Sequence, residues 1–216
     1  MAHQSAPIAI TRLPSANRHE LARRATRLAW AGIAWHVVEF AVAVAAGLAA
    51  SSVALLGFGF DSMIEGVAGL IVVWRFAGGR VHSATAERRA QQAIAVSFFV
   101  LAAWIGVEAL RTLAGGQHPD ASWVGIGLAA VTAPTMPLLA RMKRRVGERL
   151  GSSATVSEGA QNMVCAYLSL ALLVGLGANA LLGWWWADPV TALVIAAVAV
   201  REGRQSWRGV ACCAAC

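Results

Sequence analysis

The sequence predicts an all-α membrane protein with six transmembrane helices and both termini cytoplasmic. Three observations carry that prediction. The 216 residues are 58% hydrophobic and 13% charged, with a mean hydropathy of +0.60, whereas soluble domains average about 25% charged. Six apolar runs follow one another, separated by short polar links. Of the 18 Lys and Arg, all but Arg111 fall on one side of the six-span topology those runs define, the cytoplasmic side under the positive-inside rule.

Residues 1–27 form a polar arm with Arg12, Arg18, Arg23, Arg24 and Arg27, expected to be partly disordered next to the membrane. The arm has no aromatic residues, so the net charge of +7 reads as topology and anionic-lipid contact, not as nucleic-acid binding. The first apolar run is too long for the core of a signal peptide and lacks a convincing cleavage site. The six-helix membrane domain is expected over residues 28–200, followed by a short cytoplasmic tail, 201–216.

The first span, about 28–50, carries His36 and Glu39 at i and i+3, close enough to touch. Either a satisfied structural pair or a part in proton or metal handling fits them. The second span, about 53–76, reads VALLGFGFDSMIEGVAGLIVVWRF and forms a hairpin with the first. Its Asp61 and Glu65 lie one turn apart on one face. A charge at the bilayer centre costs at least about 2.5–3.5 kcal/mol, so such residues are rare and usually functional. Paired oxygen ligands suit a divalent cation or a shared proton.

The third span, about 92–114, ends near Glu108, which is read as interfacial. The fourth, about 121–141, contains Pro134 and Pro137, which kink membrane helices and free carbonyls. The basic run RMKRRVGER follows. Residues 152–183 read as one long, tilted helix. At its start Glu158, Gln161, Asn162 and Cys165 keep i, i+3, i+4, i+7 spacing and form one stripe. That stripe can complete a cation shell with Asp61 and Glu65, or it can mark a helix end with Cys165 as a small core residue. Trp184, Trp185 and Trp186 read as an interfacial belt. Asp188-Pro189 reads as the N-cap and first residue of the sixth span. In the tail, Cys212, Cys213 and Cys216 form C-C-x-x-C, which suits weak soft-metal capture, lipidation or no function.

DSMIEGVAGL resembles the second membrane helix of the cation diffusion facilitator (cation efflux) family, where an acid or His is followed four positions later by Asp. Those positions are Asp61 and Glu65 here. The family's fifth helix tends to carry Ala-Asp, then His three positions after that Asp, then Asp four further on. SEGAQNMVC places Glu158, Gln161 and Cys165 at those positions. WADPVTALVIA resembles the start of its sixth helix, and the likeness covers roughly residues 28–208. It implies a metal-ligand set of Asp61, Glu65, Glu158, Gln161 and Cys165; by position, Glu39, His36 and Asn162 are candidate accessory residues, the role of Glu39 and His36 being left open. It also implies a homodimer, formed here through membrane helices because the chain resembles the short branch lacking a cytoplasmic metal-binding domain.

Together these readings predict a divalent transition-metal exporter of the cell (inner) membrane that exchanges the metal for protons by alternating access. The metal is substrate, not cofactor. A thiolate favours Zn²⁺, Co²⁺, Ni²⁺ or Cd²⁺ over Mg²⁺ or Ca²⁺, with zinc foremost. The alternatives are a proton-coupled exporter of organic cations and a non-transporting metal sensor. No nucleophile–base pair, phosphate loop or HExxH-type signature points to an enzyme.

Overall fold

Apolar positions recur every three to four residues along each span, the repeat that gives a helix one buried stripe. The computed structural model describes residues 15–76, 84–115 and 118–208, which form six helices: α1 (Ser15–Ala50), α2 (Val53–Phe76), α3 (Ala84–Gly115), α4 (Trp123–Leu150), α5 (Ser153–Leu182) and α6 (Ala187–Arg208). Five of them, α1 to α5, are long and apolar enough to cross a membrane. The apolar part of α6 spans only Pro189–Val200 before Arg201 interrupts it.

The helices pair most extensively as α1 with α2, α4 with α5 and α3 with α6, and α2 also touches α3, α5 and α6. Phe58 and Leu55 of α2, Ile105 of α3, Met136 of α4, Leu172 of α5 and Ile195 of α6 meet in the core. Val37, Leu48, Val174 and Leu181 face outward, as they must where the surrounding solvent is hydrocarbon.

Two of the hairpins turn the same corner. At the end of α1, Ser52 N–H donates to Gly47 O at 2.9 Å and Ser51 N–H to Leu48 O at 3.4 Å. At the end of α4, Ser152 N–H donates to Gly147 O at 2.9 Å and Gly151 N–H to Glu148 O at 3.2 Å. Both are Schellman closures with one left-handed residue, Ser51 at φ 52° and Gly151 at φ 64°. Each is followed by a serine that caps the next helix: Leu55 N–H donates to Ser52 Oγ and Thr155 N–H to Ser152 Oγ. The glycines also allow close approach, since a Cβ on Gly47 would lie 3.0 Å from Leu56 N and one on Gly147 2.8 Å from Val156 N.

Several boundaries differ from the sequence reading. α1 already begins at Ser15, so the second half of the arm is helical. Its Ala, Leu and Arg content favours helix, and Arg24 pairs with Glu20 at i,i+4, 2.6 Å apart. α4 continues to Leu150, through both prolines and the basic run. α6 runs eight residues past position 200 because that segment packs on α3. A Cβ on Gly203 would lie 3.0 Å from Phe99 Cε1 and 3.2 Å from Ala95 O. The N-terminal 14 residues and the cysteines at 212, 213 and 216 lie outside the described residues.

Asp188 corrects a further expectation. It lies inside the first turn of α6 and is fully buried, and its carboxylate is directed at α2. Ser52 Oγ donates to Oδ1, and Ala54 N–H donates to Oδ2 at 3.3 Å. It caps α2 across the bundle, not its own helix. Asp188→Ala leaves those buried donors without an acceptor and should destabilise the protein by about 1–3 kcal/mol, read as a lower unfolding temperature in detergent. An unchanged transition would reject the cross-helix cap.

Candidate cation site

The buried stripe of α2 passes through Phe58, Asp61, Ser62, Glu65, Ala68 and Val72. That stripe carries both carboxylates into the bundle, where they meet different neighbours. A carboxylate oxygen from each of Asp61 and Glu65 and the Cys165 sulfur of α5 all lie within 4.8 Å of one another, and all three residues are buried. Asp61 Oδ2 has no hydrogen-bond partner. Gln161 lies on the other flank, in a narrow crevice it shares with Asp61, Glu65, Phe98, Val198 and Glu202.

Glu65 faces α1. Its Oε2 lies 3.1 Å from His36 Nε2 and 3.5 Å from Asn162 Nδ2. His36 Nδ1 in turn lies 3.1 Å from Glu39 Oε2. Glu39 is 0% exposed and well supplied with donors: Thr132 Oγ1 donates to Oε1 at 2.6 Å and Ser62 Oγ to Oε2 at 2.9 Å. A buried carboxylate with that many partners is compensated where it stands. His36 therefore bridges a satisfied acid, Glu39, and a site acid, Glu65. An imidazole in that position fixes the orientation of the carboxylate it touches.

The structure thus brings Asp61, Glu65 and Cys165 together, with Gln161 beside them and His36, Glu39 and Asn162 behind. Glu158 stands apart. It lies one turn before Asn162 on α5, and its Oε1 accepts from Lys143 Nζ at 2.7 Å. The sequence places Lys143 in the cytoplasmic basic run that follows the fourth span. Yet it is 1% exposed, while Arg141, Arg144, Arg145 and Arg149 point outward. Its place follows from the inward stripe of α4: Thr132, Met136, Ala140, Lys143, Gly147. The spacing was available in the sequence, but the charge of the neighbouring arginines masked it.

Glu202 was also missed, because residues after 200 were read as tail. It continues the inward stripe Ala192, Ile195, Ala199 of α6. Thr132 and Ser62 gave no sequence signal, as single hydroxyls in apolar helices are common.

One charge asymmetry marks this interior. Glu39, Asp61, Glu65, Glu158, Asp188 and Glu202 are buried, six of the chain's 11 acids. Lys143 is the only Lys or Arg buried among the described residues.

Packed apolar helices around a carboxylate-rich centre define an integral, multi-pass membrane protein. The cation efflux transmembrane domain matches residues 29–208, and the chain belongs to the cation efflux family. It is 24% identical over 165 residues to Transmembrane protein 163 of Xenopus laevis, covering 76% of this chain and 59% of that protein. It is 30% identical over 95 residues to an uncharacterized transporter of Synechocystis sp., covering 44% of this chain and 31% of that one. The chain thus spans less than two thirds of the length of both relatives.

Thr132→Val keeps the shape and removes the hydroxyl that Glu39 accepts from. It should cost about 1–3 kcal/mol, the price of an unpaired buried acceptor. Thr135, exposed and bonded only to the Val131 carbonyl at 2.7 Å, is the control: Thr135→Val should stay within about 0.5 kcal/mol. Denaturant unfolding of both in detergent checks the pair.

Proposed function

We propose that this protein exports divalent transition-metal cations from the cytoplasm in exchange for protons. The observation that carries the reading is the trio of donors: two carboxylates and a thiol within 4.8 Å, buried on the two helices α2 and α5. Three protein ligands leave a coordination position open for water, for the Gln161 carbonyl or for exchange. The mixed oxygen and sulfur set favours Zn²⁺, Co²⁺, Ni²⁺ or Cd²⁺ over Mg²⁺ or Ca²⁺.

The exchange with protons follows from the charge asymmetry. Buried carboxylates must be neutralised by protons or by cations. A metal ion at Asp61 and Glu65 displaces protons from them, and protons that return release the metal. Binding of the two is mutually exclusive, so a cycle that carries metal one way returns protons the other way. Rocking of helix groups about a fixed central site opens it first to one side and then to the other. With both termini cytoplasmic, the basic flanks face the anionic inner leaflet of the cell membrane. Pairing of two copies through membrane helices belongs to the same reading.

Proteoliposomes with a pH dye inside test it. Zn²⁺, Co²⁺, Ni²⁺, Cd²⁺ and Mn²⁺ are added in turn. Metal-dependent proton movement is expected, abolished in Asp61→Ala and in Glu65→Ala although both still insert. Retained exchange in both variants would remove this site from the mechanism. Binding without flux would instead mark a sensor.

Two further outcomes concern the ligands. Lowering pH should weaken metal binding, because protons compete for the same carboxylates. Cys165→Ser replaces the sulfur by an oxygen and should lower Cd²⁺ affinity more than Mn²⁺ affinity; isothermal titration of both metals measures the difference, and an equal loss would place the sulfur outside the shell.

A further inference from the structure

The Lys143–Glu158 pair, between α4 and α5, is enclosed by two other helices, α1 and α2. Glycines clear the space around it. A Cβ on Gly32 of α1 would lie 2.6 Å from Lys143 Nζ, one on Gly69 of α2 3.2 Å from Glu158 Oε1, and one on Gly159 of α5 3.3 Å from Lys143 Cβ. Yet the pair is incomplete. Among the described residues, Lys143 Nζ is hydrogen-bonded to Oε1, and Glu158 Oε2 is buried with no hydrogen-bond partner.

The choice of side chain is equally telling. Lys143 is the only lysine in the chain; the other cationic residues counted among the 18 are arginines. Arginine would bind both carboxylate oxygens in a fixed fork. Lysine offers a compact ammonium on a flexible stem, able to hold one oxygen and to withdraw. Stability does not demand the pair either, since apolar replacement of a buried ion pair is often neutral or stabilising. The position also adjoins the central site: Gly69 follows Glu65 by one turn on α2, and Glu158 precedes Asn162 by one turn on α5.

We propose that Glu158 forms a second divalent-cation position, one helical turn beyond Glu65, and that the Lys143 ammonium fills it as a tethered substitute whenever no ion is there. An incoming ion displaces Lys143 from Glu158 and gains two carboxylate oxygens, one of them free beforehand. When the ion moves on, the ammonium returns, so Glu158 is never left as an isolated buried charge. This inference rests on the metal-transport reading but makes a separate demand on Lys143.

The single lysine makes the test clean. The purified full chain in detergent is treated with an amine-acylating reagent, with and without Co²⁺, and acylation of Lys143 is read by mass spectrometry. Co²⁺ bound per chain is measured on the same samples. Acylation should rise with Co²⁺ above the cobalt-free level. Lys143→Gln should bind more Co²⁺ per chain than the unaltered protein at the same subsaturating concentration, and Lys143→Gln combined with Glu158→Gln should lose that gain. Unchanged acylation alongside Co²⁺ binding that Asp61→Ala abolishes would overturn the tethered-cation role and leave the transport reading standing. No Co²⁺ binding by the unaltered protein would overturn both. If Lys143→Gln does not fold, the acylation of the unaltered chain decides alone.

Discussion

A helix that carries two carboxylates one turn apart through the middle of a membrane bundle must be met from every side. That is the constraint α2 sets. Asp61 and Glu65 cannot be left to hydrocarbon, so α2 packs against α1, α3, α5 and α6. Each neighbour answers a different part of the demand. α1 supplies His36 against Glu65. α5 supplies Cys165, Asn162 and Gln161. α6 holds the start of α2 through Asp188 and closes the crevice with Glu202. α4, without extensive contact to α2, works through α1 and α5: Thr132 donates to one oxygen of Glu39, and Lys143 to one oxygen of Glu158.

The site is consequently two-sided. Toward α1 and α4, the polar groups are bonded to one another, and Glu39 has donors on both oxygens. Toward α3 and α6, Asp61 keeps an oxygen without a partner. The first side is a support that fixes where Glu65 points; preorganised ligands of this kind bind with little rearrangement. The second side is where coordination remains to be completed. A ligand set open on one flank and fixed on the other suits an ion that must arrive and leave, in contrast to a closed structural site.

What the sequence revealed was what periodicity can carry. Asp61 with Glu65, and Glu158 with Gln161, Asn162 and Cys165, share helix faces by spacing alone, and the six helices follow from apolar runs and the placement of arginines. Contacts between helices are a different matter. Nothing in the spacing of α5 tells that Glu158 is matched by Lys143 while Cys165 reaches Asp61 and Glu65, because the stripe runs over several turns and each turn meets another neighbour. Asp188 looked like the cap of its own helix since local patterns describe local bonds; its role at Ser52 and Ala54 depends on how α6 docks. Lys143 and Glu202 were hidden for a related reason. Both stand beside arginines that mark the membrane edge, and composition averages over faces that the helix separates.

The balance of buried charge is what links the fold to the proposed exchange. Glu39 is compensated by hydroxyls and His36, Asp188 by the start of α2, and Glu158 by an ammonium that arrives on a flexible stem. Among the described residues, Lys143 pairs with Glu158, and the basic group beside Glu65 is the His36 imidazole. Had the protein needed only a stable core, apolar side chains of similar volume would serve as well or better. An arginine in place of either Gln161 or Asn162 would neutralise the centre for good, but it would also bar a cation from it. Leaving the centre short of positive charge calls for neutralisation by protons or by a cation, and in the proposed exchange those two occupants exclude each other. Under the exchange proposed for this protein, the deficit, more than any single ligand, is what would let a helical bundle trade one cation for another.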